Sequence, residues 1–125
     1  MNFYKIFLGS LVLVFFLIVN SQPVSAARFV TSEQTVRVEE DEVIEESLFI
    51  GAQNVVISGQ VIGDVYIGAA DVLVEGDIIG DLVVAGGNIL ISGSVSDDVI
   101  VAGGSVLFDS AQIGDGVRAA GGTIQ

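Results

Sequence analysis

The chain has 125 residues, 51% of them hydrophobic, and its 16 acidic and 4 basic residues give a formal net charge of −12. Such an acidic surface repels nucleic acid and anionic lipid headgroups, so nucleic acid is excluded as a partner and cations or basic partners are favoured. Histidine and cysteine are absent, which excludes disulfides, a lipid-modified cysteine, the usual zinc ligands and a Ser-His-Asp triad.

The amino terminus is predicted to be a secretory signal peptide covering residues 1–26. Lys5 precedes an apolar run over Ile6–Val19, and the small residues before Ala27 favour cleavage after Ala26. The alternative is an uncleaved membrane anchor, but a spanning helix usually needs about 18 or more apolar residues. We therefore expect an exported protein, either secreted or associated with the cell envelope.

The next segment, residues 27–47, is predicted to be an acidic lead-in to the rest of the chain. Seven acidic residues lie between Glu33 and Glu46, a composition typical of a solvated segment. Val36 and Val38 alternate with polar neighbours, which favours a short edge strand as an alternative. A cation-binding or wall-binding arm is a further hypothesis for this charge.

From Leu48 onward the sequence repeats with a period of about 17 residues. Aliphatic residues alternate with period two inside each unit, and glycines recur at three fixed points, so each unit holds three short strands joined by tight turns. The sequence thus predicts an all-β fold, a three-sided parallel β-helix with coils of about 17 residues and about four to five coils. The copies of the clearest phrase are Val55–Gly59, Val72–Gly76, Ile89–Gly93 and Val106–Ser110.

The last full coil is longer than the others by one residue. The extra residue is placed either near Ala111 and Gln112 or at Gly116, and the sequence alone allows both. The chain stops at Gln125, where a further coil would start, so the repeat domain over residues 48–125 is interpreted as unfinished. One hypothesis is therefore that these residues are the front part of a longer membrane-anchored protein.

The repeats resemble those of bactofilins, the bacterial polymer-forming cytoskeletal proteins. The resemblance covers about Leu48 to Ile124 and rests on the pattern aliphatic-x-aliphatic-x-Gly-x-Val-x-Gly-Asp-aliphatic-x-aliphatic-Ala-Gly-Gly. It implies a right-handed β-helix that self-associates end to end into filaments without nucleotide. Bactofilins are typically cytosolic, whereas this chain opens with an export signal, so we expect a bactofilin-like repeat used outside the cytoplasm.

Aspartates that recur near one coil position are the candidate metal ligands. A row of carboxylates about 4.8 Å apart would attract calcium, which prefers oxygen ligands. The alternative, which we favour, is that an aspartate after glycine closes a turn through its own backbone. We expect no cofactor and no enzyme activity, since the repeats lack the elaborated loops that carry catalytic acids in β-helical enzymes. The candidate calcium ligands are Asp64, Asp81, Asp98 and Asp115.

Two rows of apolar residues are predicted to point outward from the β-helix. Ordinary β-propensity is one explanation, and a lateral contact surface is the functional one, because soluble monomers rarely stack apolar residues on two faces. The leading hypothesis is a structural β-helix that self-associates; the alternative is an adhesin-like or glycan-binding module. The first row is Val56, Leu73, Leu90 and Leu107, and the second is Tyr66, Val83 and Ile100.

Overall fold

The computed structural model describes residues 27–125, which form twelve strands and no helix. The predicted signal peptide lies outside the described residues. The strands are β1 (Ala27–Thr31), β2 (Thr35–Val38), β3 (Val43–Ile44), β4 (Ser47–Ile57), β5 (Gln60–Ile62), β6 (Val65–Val74), β7 (Asp77–Ile79), β8 (Leu82–Ile91), β9 (Ser94–Val95), β10 (Val99–Phe108), β11 (Gln112–Ile113) and β12 (Val117–Ile124).

All strand pairs are parallel, and the chain winds into a β-solenoid of about six coils. The long strands pair in the order β1-β4-β6-β8-β10-β12, with β2 also on β4, and the short strands pair in the order β11-β9-β7-β5-β3. Val65 pairs with Leu82, 17 positions further along, and the same offset joins Leu82 to Val99. The prediction of a parallel β-helix with coils of about 17 residues is confirmed.

Each coil has three faces, which we number from the coil that begins at Val65. Face 1 is residues 65–69, face 2 is residues 71–74 and face 3 is residues 77–79, together with the equivalent residues of other coils. Faces 1 and 2 belong to one long strand. On each face every second side chain points inward. This alternation is interrupted between Ala69 and Val72, and the interruption marks the corner between the two faces.

The interior of the solenoid is a set of aliphatic columns. Each full coil contributes five inward side chains; in one coil these are Leu82, Val84, Ile89, Ile91 and Val95, none more than 3% exposed. Burying such a side chain contributes roughly 1.5–3 kcal/mol, and the described core contains no buried polar or charged residue. Stability therefore comes from stacking identical apolar layers, as the repeat predicts.

Glycines are required at the corners on either side of face 3. A Cβ at Gly76 would overlap the carbonyl oxygen of Gly59 in the coil below, so only glycine lets the two backbones approach. Gly80 has a φ of 151°, a conformation that residues with a side chain rarely adopt. These two constraints keep the corners in register from coil to coil.

The structure decides where the extra residue of the last coil lies. Phe108 pairs with Ile91 at the usual offset of 17, whereas Gln112 pairs with Ser94 at an offset of 18. The insertion therefore falls between these two residues, near the first of the predicted positions and away from Gly116. Ser110, inside the inserted segment, has a φ of 57°.

Residues 27–47 are not the solvated lead-in segment that the sequence favoured, whereas the alternative of a short strand at Val36 and Val38 corresponds to β2. They form β1, β2 and β3, which pair with β4 and β5 and make up the first coil. Val38 and Ile44 of this segment are buried in the same core as the later coils. The acidic residues 39–42 form the corner between them, where the next three coils have only two residues, so the charge lies on a widened turn. Within the described residues, the solenoid thus already includes Ala27 and does not start at Leu48.

Candidate interaction surfaces

The first predicted apolar row lies on face 2. Val56, Leu73, Leu90 and Leu107 are consecutive ladder partners, so their side chains stand one above another on the outside of the solenoid. Leu107 is 38% exposed and the other three are half-buried. A vertical column of large aliphatic side chains therefore runs along four coils.

Beside that row runs a column of polar side chains on the same face. The amide Nδ2 of Asn88 donates a hydrogen bond to Oδ1 of Asp71 in the coil below, at 2.9 Å. Asn54 and Ser105 continue the column below and above this pair. Face 2 thus presents a column of apolar side chains beside a column of polar side chains.

The second predicted row lies on face 1, where Tyr66, Val83 and Ile100 are consecutive ladder partners. The structure extends this row downward by Phe49 and Phe29, which the prediction did not include. The sequence signal was present, since Leu48-Phe49-Ile50-Gly51 aligns with the later Val65-Tyr66-Ile67-Gly68. Phe29 lies in the lead-in segment, for which no coil was predicted.

The lower part of the face 1 row is a stack of aromatic rings. The ring centroids of Phe29 and Phe49 are 4.8 Å apart, and those of Phe49 and Tyr66 are 4.6 Å apart, with interplanar angles of 16° and 8°. Phe29 is 75% exposed and Tyr66 is 36% exposed. The aromatic stack passes into aliphatic Val83 and Ile100 higher up, so the whole row is apolar up to Arg118.

A second outward column on face 1 consists of small residues, two positions after each member of the row. The lower members of the row and of this column, up to Val83 and Ala85, line a shallow groove of about 360 Å³. In ladder order the column is Thr31, Gly51, Gly68, Ala85, Ala102 and Ala120.

Most acidic residues lie outside face 1, but Asp64, Asp81 and Asp98 border it at the corner with face 3. Neither of its two outward columns contains a carboxylate, whereas Glu75 stands at the corner before face 3 and Asp77 lies on face 3. The acidic first-coil corner adjoins the same side of the solenoid. At the edge of face 1, Glu46 is paired with Arg28 at 2.7 Å. Apart from Arg118 in the last coil, the outward columns of face 1 are therefore uncharged on a strongly acidic protein.

Three of the four candidate calcium ligands form a column at the corner between faces 3 and 1. Oδ1 of Asp64 accepts a hydrogen bond from the backbone N–H of Asp81, and Oδ1 of Asp81 accepts one from the N–H of Asp98, both at 2.9 Å. Oδ1 of Asp98 accepts from the N–H of Gly116, also at 2.9 Å. These side chains connect successive coils, which differs from the turn-closing role that the sequence favoured.

Asp115, the fourth candidate, is not in this column. The extra residue in the last coil shifts the register by one, so that Gly116 takes the position that an aspartate holds in the coils below. The backbone N–H of Asp115 donates instead to the carbonyl of Asp97. Within residues 27–125 no group of three or more His, Cys, Asp or Glu side chains is arranged to hold a metal ion.

Comparisons with family models, with curated proteins and with solved structures gave no significant match. Among residues 27–125 no helix has the length and apolar character needed to span a membrane.

Proposed function

We propose that this chain is a structural, non-enzymatic β-solenoid that self-associates outside the cytoplasm. The observation that supports the proposal is the pair of outward apolar rows on adjacent faces 1 and 2, each in register over at least three coils. Aligned apolar surface of this kind is favourable to remove from water, at roughly 25 cal/mol per Å² buried. A scaffold with two such faces associates laterally in two directions.

Association through the coil ends is a second part of the proposal. Strands β11 and β12 are the last members of their sheets within residues 27–125, and an edge strand can pair with a strand of another chain. Val117 lies over Val99 at a core position and is 45% exposed. The resemblance of the repeats to bactofilins supports the same mode of growth.

The extracytoplasmic location rests on the sequence of residues 1–26. The charged start at Lys5, the apolar run Ile6–Val19 and the small residues before Ala27 are typical of an exported protein. The absence of histidine and cysteine supports a structural role over an enzymatic one, because common nucleophile–base pairs cannot be built. We propose that the chain binds neither nucleotide nor nucleic acid. Its expected surroundings are those of the cell envelope.

Negative-stain electron microscopy of the full chain, purified as the bacterial host processes it, tests the proposal. We expect elongated or sheet-like assemblies at high protein concentration. Discrete particles with the mass of one chain at every concentration would contradict it. Fractionation of cells expressing a carboxyl-terminally tagged chain tests the location, with recovery only in the cytoplasm as the contradicting result.

A glycan-binding module is the second candidate, and the exposed aromatic stack of Phe29, Phe49 and Tyr66 favours it. Both faces of the middle ring, Phe49, are covered by its neighbours, so a sugar could stack only on Phe29 or Tyr66. Titration calorimetry with soluble cell-wall oligosaccharides distinguishes this candidate from self-association. Saturable binding by a monomeric chain would support the glycan-binding function in place of the structural one.

A further inference from the structure

We infer that face 1 is the contact between two copies of this chain, packed side by side with their solenoid axes parallel and their first coils at the same end. The inference rests on the proposed self-association and names the surface and the arrangement. Its starting point is a pair of glycines on face 1, Gly51 and Gly68, whose presence the fold of a single chain does not explain.

These two glycines differ from the glycines at the corners. A Cβ at Gly68 would have no atom within 4 Å, and a Cβ at Gly51 would meet only the methyl group of Thr31, at 4.0 Å. Neither has a positive φ, and the same ladder column holds Ala85 and Ala102 higher up. The backbone therefore accepts a side chain at both positions, and the rings of Phe49 and Tyr66 do not cover the open space.

The missing side chains follow a size rule along the groove. In the four coils above the first, the aromatic residues Phe49 and Tyr66 stand beside Gly51 and Gly68, whereas the smaller Val83 and Ile100 stand beside alanines. The first coil departs from this rule, because Phe29 stands beside Thr31. Within one chain, placing a small residue beside a large one does not improve packing, because the two columns do not fill the groove between them. It matters when the large side chain of one surface enters the small-residue column of another.

A second copy of the chain provides that surface. In a face-to-face dimer with its two-fold axis parallel to the solenoid axis, the strands of the two copies run in opposite directions. The two columns are about 7 Å apart along the strand, so this rotation places the row of each copy over the small-residue column of the other. Each coil then lies opposite the equivalent coil of the other copy, so that Tyr66 faces the partner's Gly68 and Val83 faces an alanine.

The opposite stacking direction fits less well. It would bring the aromatic rings of the lower coils onto the alanines of the upper coils and leave glycine beside the smaller aliphatic residues. Size complementarity therefore selects the parallel arrangement, with the aromatic ends of both copies together.

Charge selects the same face. Two copies of a chain with a net charge of −12 repel each other wherever their carboxylates approach, and the columns of face 1 contain none. Face 2 includes Asp71, and face 3 includes Asp77 next to the acidic corners. Of the three faces, only face 1 has outward columns without a carboxylate, and their one charged member is Arg118 in the last coil.

The footprint indicates a weak dimer. Six coils are about 24 Å tall and the face is about 16 Å wide, so each copy contributes about 400 Å², against about 800 Å² for a standard interface. Association must therefore be measured at high protein concentration. A weak pairwise contact suits an assembly that is strengthened by further contacts on face 2.

Sedimentation equilibrium of the full chain tests the surface. We expect Gly68→Leu to weaken dimerisation at least tenfold, because leucine fills the groove while its Cβ meets no atom of its own chain. Tyr66→Ser should weaken it as well by removing the inserted side chain, and circular dichroism verifies that both variants fold. The matched control is Gln112→Leu, which adds the same side chain to exposed face 3 and should leave dimerisation unchanged.

Cross-linking tests the arrangement. The chain has no cysteine, so Thr31→Cys introduces a single thiol in the first coil, which a short bismaleimide should link to the same residue of the partner. In the reversed arrangement a mixture of Thr31→Cys and Ala120→Cys would cross-link instead, since the two ends of the solenoid are about 24 Å apart.

The outcomes separate this inference from the proposed function. If the wild-type chain associates and Gly68→Leu and Tyr66→Ser associate equally well, face 1 is not the contact, while the structural role stands. If only the mixed pair cross-links, the parallel arrangement is wrong. A wild-type chain that stays monomeric at all concentrations contradicts both, and binding of that monomer to neutral phosphatidylcholine vesicles would identify face 1 as a lipid-contacting face.

Discussion

Oδ1 of Asp64 accepts a hydrogen bond of 2.9 Å from the backbone N–H of Asp81, the residue at the same position of the next coil. Side-chain acceptors thus join the coils at the corner between faces 3 and 1. The same bond recurs from Asp81 to the N–H of Asp98. The recurrence of Gly-Asp in the repeat therefore has a structural reason: glycine makes the corner, and aspartate connects it to the corner above.

Replacing Asp64 with alanine is expected to lower the free energy of unfolding by about 1 kcal/mol, because the partly buried N–H of Asp81 loses its acceptor. Asp64→Asn keeps a side-chain oxygen and should lose less. Asp97→Ala is the matched control, since it also removes one negative charge, but the carboxylate of Asp97 accepts no hydrogen bond from a backbone N–H of a neighbouring coil. Thermal denaturation measures all three; equal losses for Asp64→Ala and Asp97→Ala would contradict the role of the column.

Calcium at millimolar concentration is expected to have the same effect on the melting temperature as an equal concentration of magnesium. One oxygen of each aspartate in the column is already engaged by a backbone N–H, and the described residues hold no cluster of three ligands. A specific rise with calcium, abolished in the Asp81→Asn variant, would show instead that the column is a metal site.

Replacing Gly76 with alanine is expected to destabilise the protein by about 2 kcal/mol or more, since the added Cβ would overlap the carbonyl oxygen of Gly59 and force neighbouring coils apart. Gly68→Ala is the matched control, because its Cβ enters open space; it should be neutral or stabilising by up to about 1 kcal/mol. Urea denaturation compares the two variants. Similar losses for both would indicate that close backbone approach at the corner is not the constraint.

The row on face 2 is expected to carry growth beyond the face 1 dimer. Replacing Leu73 and Leu90 together with lysine should abolish larger lateral assemblies, because two charges would have to be buried in an apolar contact. The matched control replaces Ile62 and Ile79, which are 41% and 46% exposed on face 3, with lysine. Electron microscopy reports the outcome: unchanged assemblies in the Leu73/Leu90 variant, or equal loss in the control, would exclude a specific role for this row.

Much of the candidate surface was predictable from the repeat. Period-two alternation assigns Leu73 outward between inward Val72 and Val74, and the 17-residue period then places Leu90 directly above Leu73. Phe29 could not be found in this way, because its segment does not follow the period and its partner Phe49 lies 20 positions away. Asp115 was misplaced for a related reason: a single inserted residue moves it out of its column.

By itself the sequence determined the architecture, the inward residues and the two outward rows, because stacked coils must repeat the same positions and strand side chains alternate. Three features depend on pairing between segments of different sequence, and only the tertiary structure decided them. Residues 27–47 close the first coil, the insertion lies between Phe108 and Gln112, and three aspartates join the coils. Ladder pairing selects these features, since local sequence gives a non-repeating segment no register. The open space at Gly68 likewise shows only once the neighbouring coils are in place.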